Sequence, residues 1–385
     1  MSQDAGFDPA GILEDARGEA GGLSDFGADD FREGLSVLCR TYDENPFSAA
    51  GRRRSRRRLV DLLATRLRVQ EAFRKHPEIR ARSIARPMVL TGLPRSGTSA
   101  LFNLLGRDPA ARPLLNWETR YPDPAEGLAP GEPDPRRDAI ERYLAKGREK
   151  NPEFTKVHFA SADTPEECVL LHAVACHGVQ LGVEPMFEPY ASWYRSQSLN
   201  GMYCYYADLL RLLDWQRPGE RWLLKAPAHM WGIDALLAVF PDASIVWSHR
   251  DPLLCIASIA SMTHLLAQPL IDVDPKVLGP TVMDFYATSL ERGLAMRDRC
   301  DASRFVDINH DDFVEDGLAV ANRIHRAFGL PLQEDASAAM RAHLEANPKG
   351  KHGTHRYDLE SFGLDESRVR ERFAGYVERF RVKTS

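Results

Sequence analysis

The stretch that most constrains this chain is Gly92-Leu93-Pro94-Arg95-Ser96-Gly97-Thr98-Ser99, set between two apolar runs of different period. Pro87-Met88-Val89-Leu90-Thr91 before it has the continuous apolar character of a buried strand, and Ala100-Leu101-Phe102-Asn103-Leu104-Leu105 after it has that of a helix. Strand, glycine-bearing loop and helix in that order place several backbone N–H groups at a helix N-terminus, where they can cradle an anion. The alternative is a plain structural turn with no ligand.

Two further apolar runs end in polar residues and are followed by helical patterns: Trp222-Leu223-Leu224 before Lys225, and Ile245-Val246-Trp247 before His249-Arg250. A fourth, Phe305-Val306-Asp307-Ile308, precedes a helix through Phe328. Strands alternating with helices predict an α/β fold, a P-loop-type parallel sheet flanked by helices, with ligands at the carboxyl ends of the strands. Residues 1–86 read as an N-terminal helical cap. Residues 87–385 read as the α/β domain, with a helical insertion at about 121–218 covering the active site. Arg52-Arg53-Arg54-Ser55-Arg56-Arg57-Arg58 could bind an acidic partner or a membrane, but aliphatic residues follow it in helical register, which favours a solvated helix face.

With 385 residues, 43% hydrophobic and 27% charged, the chain has the proportions of an ordinary globular protein. A net charge of -5 argues against a nucleic-acid platform. The acidic start lacks the pattern of a secretory signal, and no stretch approaches about eighteen uninterrupted apolar residues, so the expected location is the cytoplasm. Cys39, Cys168, Cys176, Cys204, Cys255 and Cys300 form no C-x-x-C pair, and their spacing predicts buried hydrophobes rather than metal ligands.

The loop departs from that of a nucleoside triphosphatase. Thr98 stands where such an enzyme keeps its lysine, the cation is Arg95, and Trp247-Ser248-His249-Arg250 presents cations where a magnesium-binding acid would often stand. A second basic site follows, because Asp251-Pro252 reads as N-cap and N1 of a helix carrying Ser258 two turns on. Guanidinium, amides and hydroxyl can converge there on another phosphate. The pattern predicts a metal-free site for a nucleotide with two separate anionic groups.

These residues resemble those of the sulfotransferases that use 3′-phosphoadenosine 5′-phosphosulfate (PAPS). Gly92, Pro94, Arg95, Ser96, Gly97, Thr98 and Ser99 match the family's 5′-phosphosulfate loop, and Arg250 and Ser258, eight apart, match the pair that holds the 3′-phosphate. Lys225 falls where the family has a strand-end lysine, and Lys349, Lys351, His352 and Gly353 resemble a variant of its C-terminal 3′-phosphate loop. The likeness spans roughly residues 88–363 and is closest to bacterial members with long insertions. It implies transfer of a sulfuryl group from PAPS to an acceptor hydroxyl, leaving PAP, with a small-molecule or lipid acceptor and no metal. A kinase-like phosphotransferase and a non-catalytic nucleotide-binding regulator are the competing readings.

Such transfer needs cations around the moving group, for which Arg95 and Lys225 are the candidates, and a base for the acceptor proton. Trp117-Glu118-Thr119-Arg120 resembles the Glu-Thr-Arg of tyrosylprotein sulfotransferases, which makes Glu118 the first choice, with a pKa expected to be raised by partial desolvation beside Trp117. His158 is the main rival, and His229 reads as a packed or capping histidine. Thr164-Pro165-Glu166-Glu167 has the form of a capping box, so its carboxylates are expected to be structural. The aromatic run from Phe187 to Tyr206 could wall an acceptor pocket or pack in the core.

Overall fold

The computed structural model describes residues 6–125, 127–128, 132–150, 160–179, 182–347 and 359–384. Five parallel strands, β1 (Met88–Gly92), β2 (Ala111–Pro113), β3 (Arg221–Lys225), β4 (Ser244–His249) and β5 (Phe305–Asn309), form one sheet in the order β2-β3-β1-β4-β5. The chain leaves β1 for the β3 side and later crosses back to add β4 and β5 on the other. The carboxyl ends of β3, β1 and β4 therefore lie side by side at the point where the winding reverses. Every residue of β1 is buried, because parallel strands are covered on both faces.

Alternation along the strands assigns the two faces. Met88, Leu90, Leu223, Val246 and Ile308 pack with Leu101, Leu104 and Leu105 and with the helices Gly317–Ala327 and Glu334–Ala346. Val89, Trp222, Leu224, Ile245 and Trp247 face a larger core. That core also takes in the N-terminal helices Pro9–Glu19, Arg32–Glu44 and Ala49–Lys75 and the insertion helix Asn200–Gln216.

The basic run sits in Ala49–Lys75, and much of it is neutralised by acidic neighbours: Arg52 pairs with Asp43 at 2.6 Å, Arg56 with Asp15, and Arg57 with Glu19 at 2.9 Å and Asp61 at 2.8 Å. Tyr190, Tyr194, Tyr203 and Tyr206 are buried in the core, so core packing is the role these four tyrosines have. The six cysteines are free thiols. Burial pushes Cys39, Cys168, Cys176 and Cys255 up to about 12, which makes them inert apolar filler.

Candidate active site

The loop after β1 depends on two glycines. Gly92 has φ 132°, and a Cβ there would lie 2.3 Å from the Ser248 carbonyl of β4; Gly97 has φ 91° and caps the helix Thr98–Leu105. Between them Arg95 takes φ 69°, a left-handed conformation that costs a non-glycine residue about 1–2 kcal/mol. Surrounding contacts hold it there. Arg250 Nη1 donates to the Arg95 carbonyl at 2.8 Å, Ser248 Oγ donates to the Ser96 carbonyl at 2.7 Å, and Arg95 Nε donates to Ser258 Oγ at 3.0 Å.

The second basic site has the expected local structure. Helix Pro252–Ala267 starts with Pro252 after Asp251, whose carboxylate accepts from the Leu253 N–H at 2.9 Å. Ser258 lies in this helix and is buried. The preceding strand end is clamped by the C-terminal helix Glu366–Phe380: Phe380 stacks on His249 with ring centroids 4.0 Å apart, and His249 also contacts Tyr376 Oη at 3.1 Å and Asp307 at 2.8 Å. Arg250 thus leaves a rigid strand end beside the β1 loop.

On the other flank, Lys225 ends β3 with its side chain only 4% exposed. Its Nζ donates to Ser99 Oγ at 3.2 Å and to Glu167 Oε1 at 2.6 Å. Glu167 arrives from the insertion, tethered by Cys168 N–H donating to the Lys225 carbonyl at 3.0 Å and by Glu166 N–H donating to the Leu114 carbonyl at 2.8 Å. Its side chain keeps 29% exposure. The capping-box reading of this segment is therefore corrected. No helix begins at Pro165, which bridges Leu115 instead, and the next helix is Val169–His172. Glu166 accepts from Asn116 Nδ2 at 2.7 Å and holds the strand-like segment in place, while Glu167 reaches the strand-end lysine.

Glu118 does not meet the expectation placed on it. It is 1% exposed and bound by both Arg112 Nη atoms at 2.8 and 2.9 Å, by Arg217 at 2.9 and 3.1 Å, and by the Leu115 N–H at 2.9 Å. Burial alone would raise its pKa, but the two guanidiniums outweigh that and hold it below the ordinary value. A carboxylate so fully occupied cannot take the acceptor's proton. His229 is fully buried, with Nδ1 2.8 Å from Tyr203 Oη, and burial lowers its pKa to about 3; it packs in the core against His172, Tyr203 and Tyr206. His158, Lys349, Lys351, His352 and Gly353 lie outside the described residues.

Arg95, Lys225, Arg250 and Ser258 are thus linked to one loop at three adjacent strand ends, with a half-open carboxylate on the lysine. Among the described residues no group of three or more His, Cys, Asp or Glu is arranged to hold a metal ion. A profile described as "Sulfotransferase family" matches residues 87–334. The chain belongs to the sulfotransferase family.

Two solved members superpose on nearly its whole length. Sulfotransferase STF9 from Mycobacterium avium is 28% identical with a TM-score of 0.88, covering 99% of this chain and 98% of that one. Sulfotransferase STF1 from Mycobacterium tuberculosis is 32% identical with a TM-score of 0.83, covering 95% and 98%. The omega-hydroxy-beta-dihydromenaquinone-9 sulfotransferase Stf3 of Mycobacterium tuberculosis is 32% identical over 115 residues, 28% of each chain, so the match spans under a third of that relative. No helix of the described residues is long and apolar enough to cross a membrane.

Proposed function

We propose that this sulfotransferase takes its sulfuryl group from PAPS and passes it to a hydroxyl of a small-molecule or lipid acceptor, releasing PAP. The observation that carries the reading is the hydrogen-bonded bridge Arg250–Arg95–Ser258, which joins two anion cradles, the glycine-bearing loop and the start of helix Pro252–Ala267. A ligand with one anionic group at each end of a nucleoside matches that pair better than a triphosphate chain does.

In this reading the loop amides and Ser96, Thr98 and Ser99 hold the 5′-phosphosulfate, and Arg250 with Ser258 holds the 3′-phosphate. Lys349, Lys351, His352 and Gly353, which lie outside the described residues, are the further 3′-phosphate contacts that the resemblance implies. The acceptor oxygen attacks sulfur, the bond from sulfur to the bridging phosphate oxygen breaks, and that oxygen leaves on PAP with its electron pair. Arg95 and Lys225 supply the positive charge for the transferring and departing oxygens. Glu167 takes the acceptor proton: it is the carboxylate held directly on Lys225, it keeps an open edge, and its segment is pinned at two backbone hydrogen bonds. His158 remains a rival for that proton.

The name of Stf3 supports a lipid hydroxyl as acceptor, and six free cysteines fit the reducing cytoplasm. The test is a melt of the protein with PAP and with ATP·Mg²⁺, followed by ³⁵S-PAPS incubation with hydroxylated lipid and small-molecule extracts. PAP should stabilise without added metal, and label should enter one product class. A larger shift with ATP·Mg²⁺ and none with PAP would overturn the donor assignment.

A further inference from the structure

His310 is absorbed by neither the motifs nor the mechanism, yet it touches the loop at its tightest point. It follows β5 directly and opens the short helix His310–Glu315, and a Cβ on Gly97 would lie 2.5 Å from its Nδ1. Only glycine leaves room there for the imidazole. The Nδ1 atom is sealed from solvent with no hydrogen-bond partner, and so are Asn309 Oδ1 on the same turn and Ser96 Oγ in the loop. Buried polar atoms without partners in this loop and on the histidine against it are a costly arrangement for a protein to keep unless a ligand repays it.

We propose that His310 is a nucleotide-binding residue of this site, gripping the donor's anionic groups from the β5 side and taking up a proton as it does so. The inference rests on the PAPS reading above and adds to it a residue and a proton.

The charged groups facing the ring are Arg250, from the end of β4, and Asp311, on its own helix. In the free protein, burial and then Arg250 lower the imidazole to about 4, with Asp311 pulling weakly the other way, so the ring is neutral near pH 7. PAP brings two phosphates, each carrying about −1.5 to −2 charges near neutrality. That charge neutralises Arg250 and reverses the sign of the field at His310. The bound-state pKa therefore lies above the free-state one, and affinity rises as pH falls through the bound value, by up to about tenfold per pH unit and proton until the free value is reached. The ligand's own phosphates, with a second ionisation near pH 6, are still partly protonated at pH 6.5 and oppose this, so the histidine's share is the difference between wild type and His310→Gln across about pH 6.5 to 8.

The experiment is titration calorimetry with PAP at pH 6.5, 7.2 and 8.0, each in two buffers of different ionisation enthalpy, on wild type, His310→Gln and His310→Lys. Wild type should bind several-fold tighter at pH 6.5 than at 8.0, with net proton uptake. His310→Gln should bind more weakly, with that uptake and slope removed. His310→Lys, a permanent cation, should bind as tightly at pH 8.0 as wild type does at 6.5. Melting of the ligand-free variants checks that both fold, and the lysine variant still tests the idea if the glutamine variant does not. Uptake and slope unchanged in both variants would overturn the role of His310 alone, whereas no PAP binding by wild type would overturn the donor assignment beneath it.

Discussion

Two glutamates in this molecule each sit against cations, and the contrast between their surroundings separates a structural ion pair from a reactive one. Glu118 is enclosed: two arginines and a backbone amide occupy its oxygens, Arg112 lies 3.7 Å from the centroid of the Trp222 ring, and water is excluded. Glu167 shares one oxygen with Lys225 and keeps an edge open, and the same lysine also reaches a loop serine. Both are carboxylates with a cation at hydrogen-bond distance. What distinguishes them is how many acceptor positions remain and whether a substrate proton can arrive.

The comparison predicts opposite phenotypes for the same chemical change. Glu167→Gln should lower the single-turnover sulfuryl-transfer rate by roughly 10²- to 10⁴-fold, since the amide keeps shape but cannot accept the proton, and its half-open position should make the loss of melting temperature from Lys225's missing counter-charge smaller than that at Glu118. A variant within a few-fold of wild type would return the role of base to His158. Glu118→Gln should instead leave PAP affinity and transfer within a few-fold while denaturant unfolding shows a loss of about 3–5 kcal/mol, because the buried Arg112 guanidinium loses its counter-charge, the more exposed Arg217 adding little. Wild-type stability from this group is present above pH 4.5 and is lost as pH falls through the depressed folded value, so the gap between wild type and variant should close in acid.

A smaller effect sharpens the contrast from a core histidine. His229 has its pKa depressed from 6.5 to about 3 in the folded protein, so the unfolded chain binds a proton first as the medium is acidified. Its contribution to stability is complete above pH 6.5 and falls by about 1.4 kcal/mol per pH unit below it. Denaturant unfolding of His229→Gln between pH 7 and 5 should show a correspondingly shallower slope. The smallest effect expected is that of Ser258→Ala, which removes one hydroxyl from Arg95 and from the proposed 3′-phosphate contact; calorimetry should show PAP affinity down roughly 2- to 10-fold, the range of a single hydrogen bond.

The loop, the parallel sheet and the capped helix carrying Ser258 were legible because each is written in contiguous residues: glycines at fixed offsets, apolar runs, Asp-Pro at a helix start. Glu167 was not. Thr164-Pro165-Glu166-Glu167 is the local pattern of a capped helix, and contacts distant in sequence hold it extended: the pairing of Pro165 with Leu115, the hydrogen bond from Asn116 to Glu166, and the backbone bonds to Leu114 and Lys225. A usable signal did exist, since a lysine ending a buried strand requires a counter-charge, and the adjacent acids of the insertion were available to supply it. Glu118 misled for the converse reason: the Glu-Thr-Arg resemblance names residues but not their neighbours, and Arg112 and Arg217, six and ninety-nine positions away, decide its state. His310 left no mark of its own, because its importance comes from a glycine more than two hundred positions earlier.

The order of the strands has a consequence for how this protein comes into being. Arg95 and Ser258 are separated by 163 positions, Ser99 and Lys225 by 126, and Lys225 and Glu167 by 58, yet all meet at one rim of the sheet. No fragment emerging from the ribosome holds a working centre until the fourth strand has docked beside the first. Contacts of such high order form late and slowly, and the nascent chain must carry its unpaired central strand through much of synthesis. Donor nucleotide can therefore reward only the finished sheet, acting on the last step of assembly and not on the collapse that precedes it.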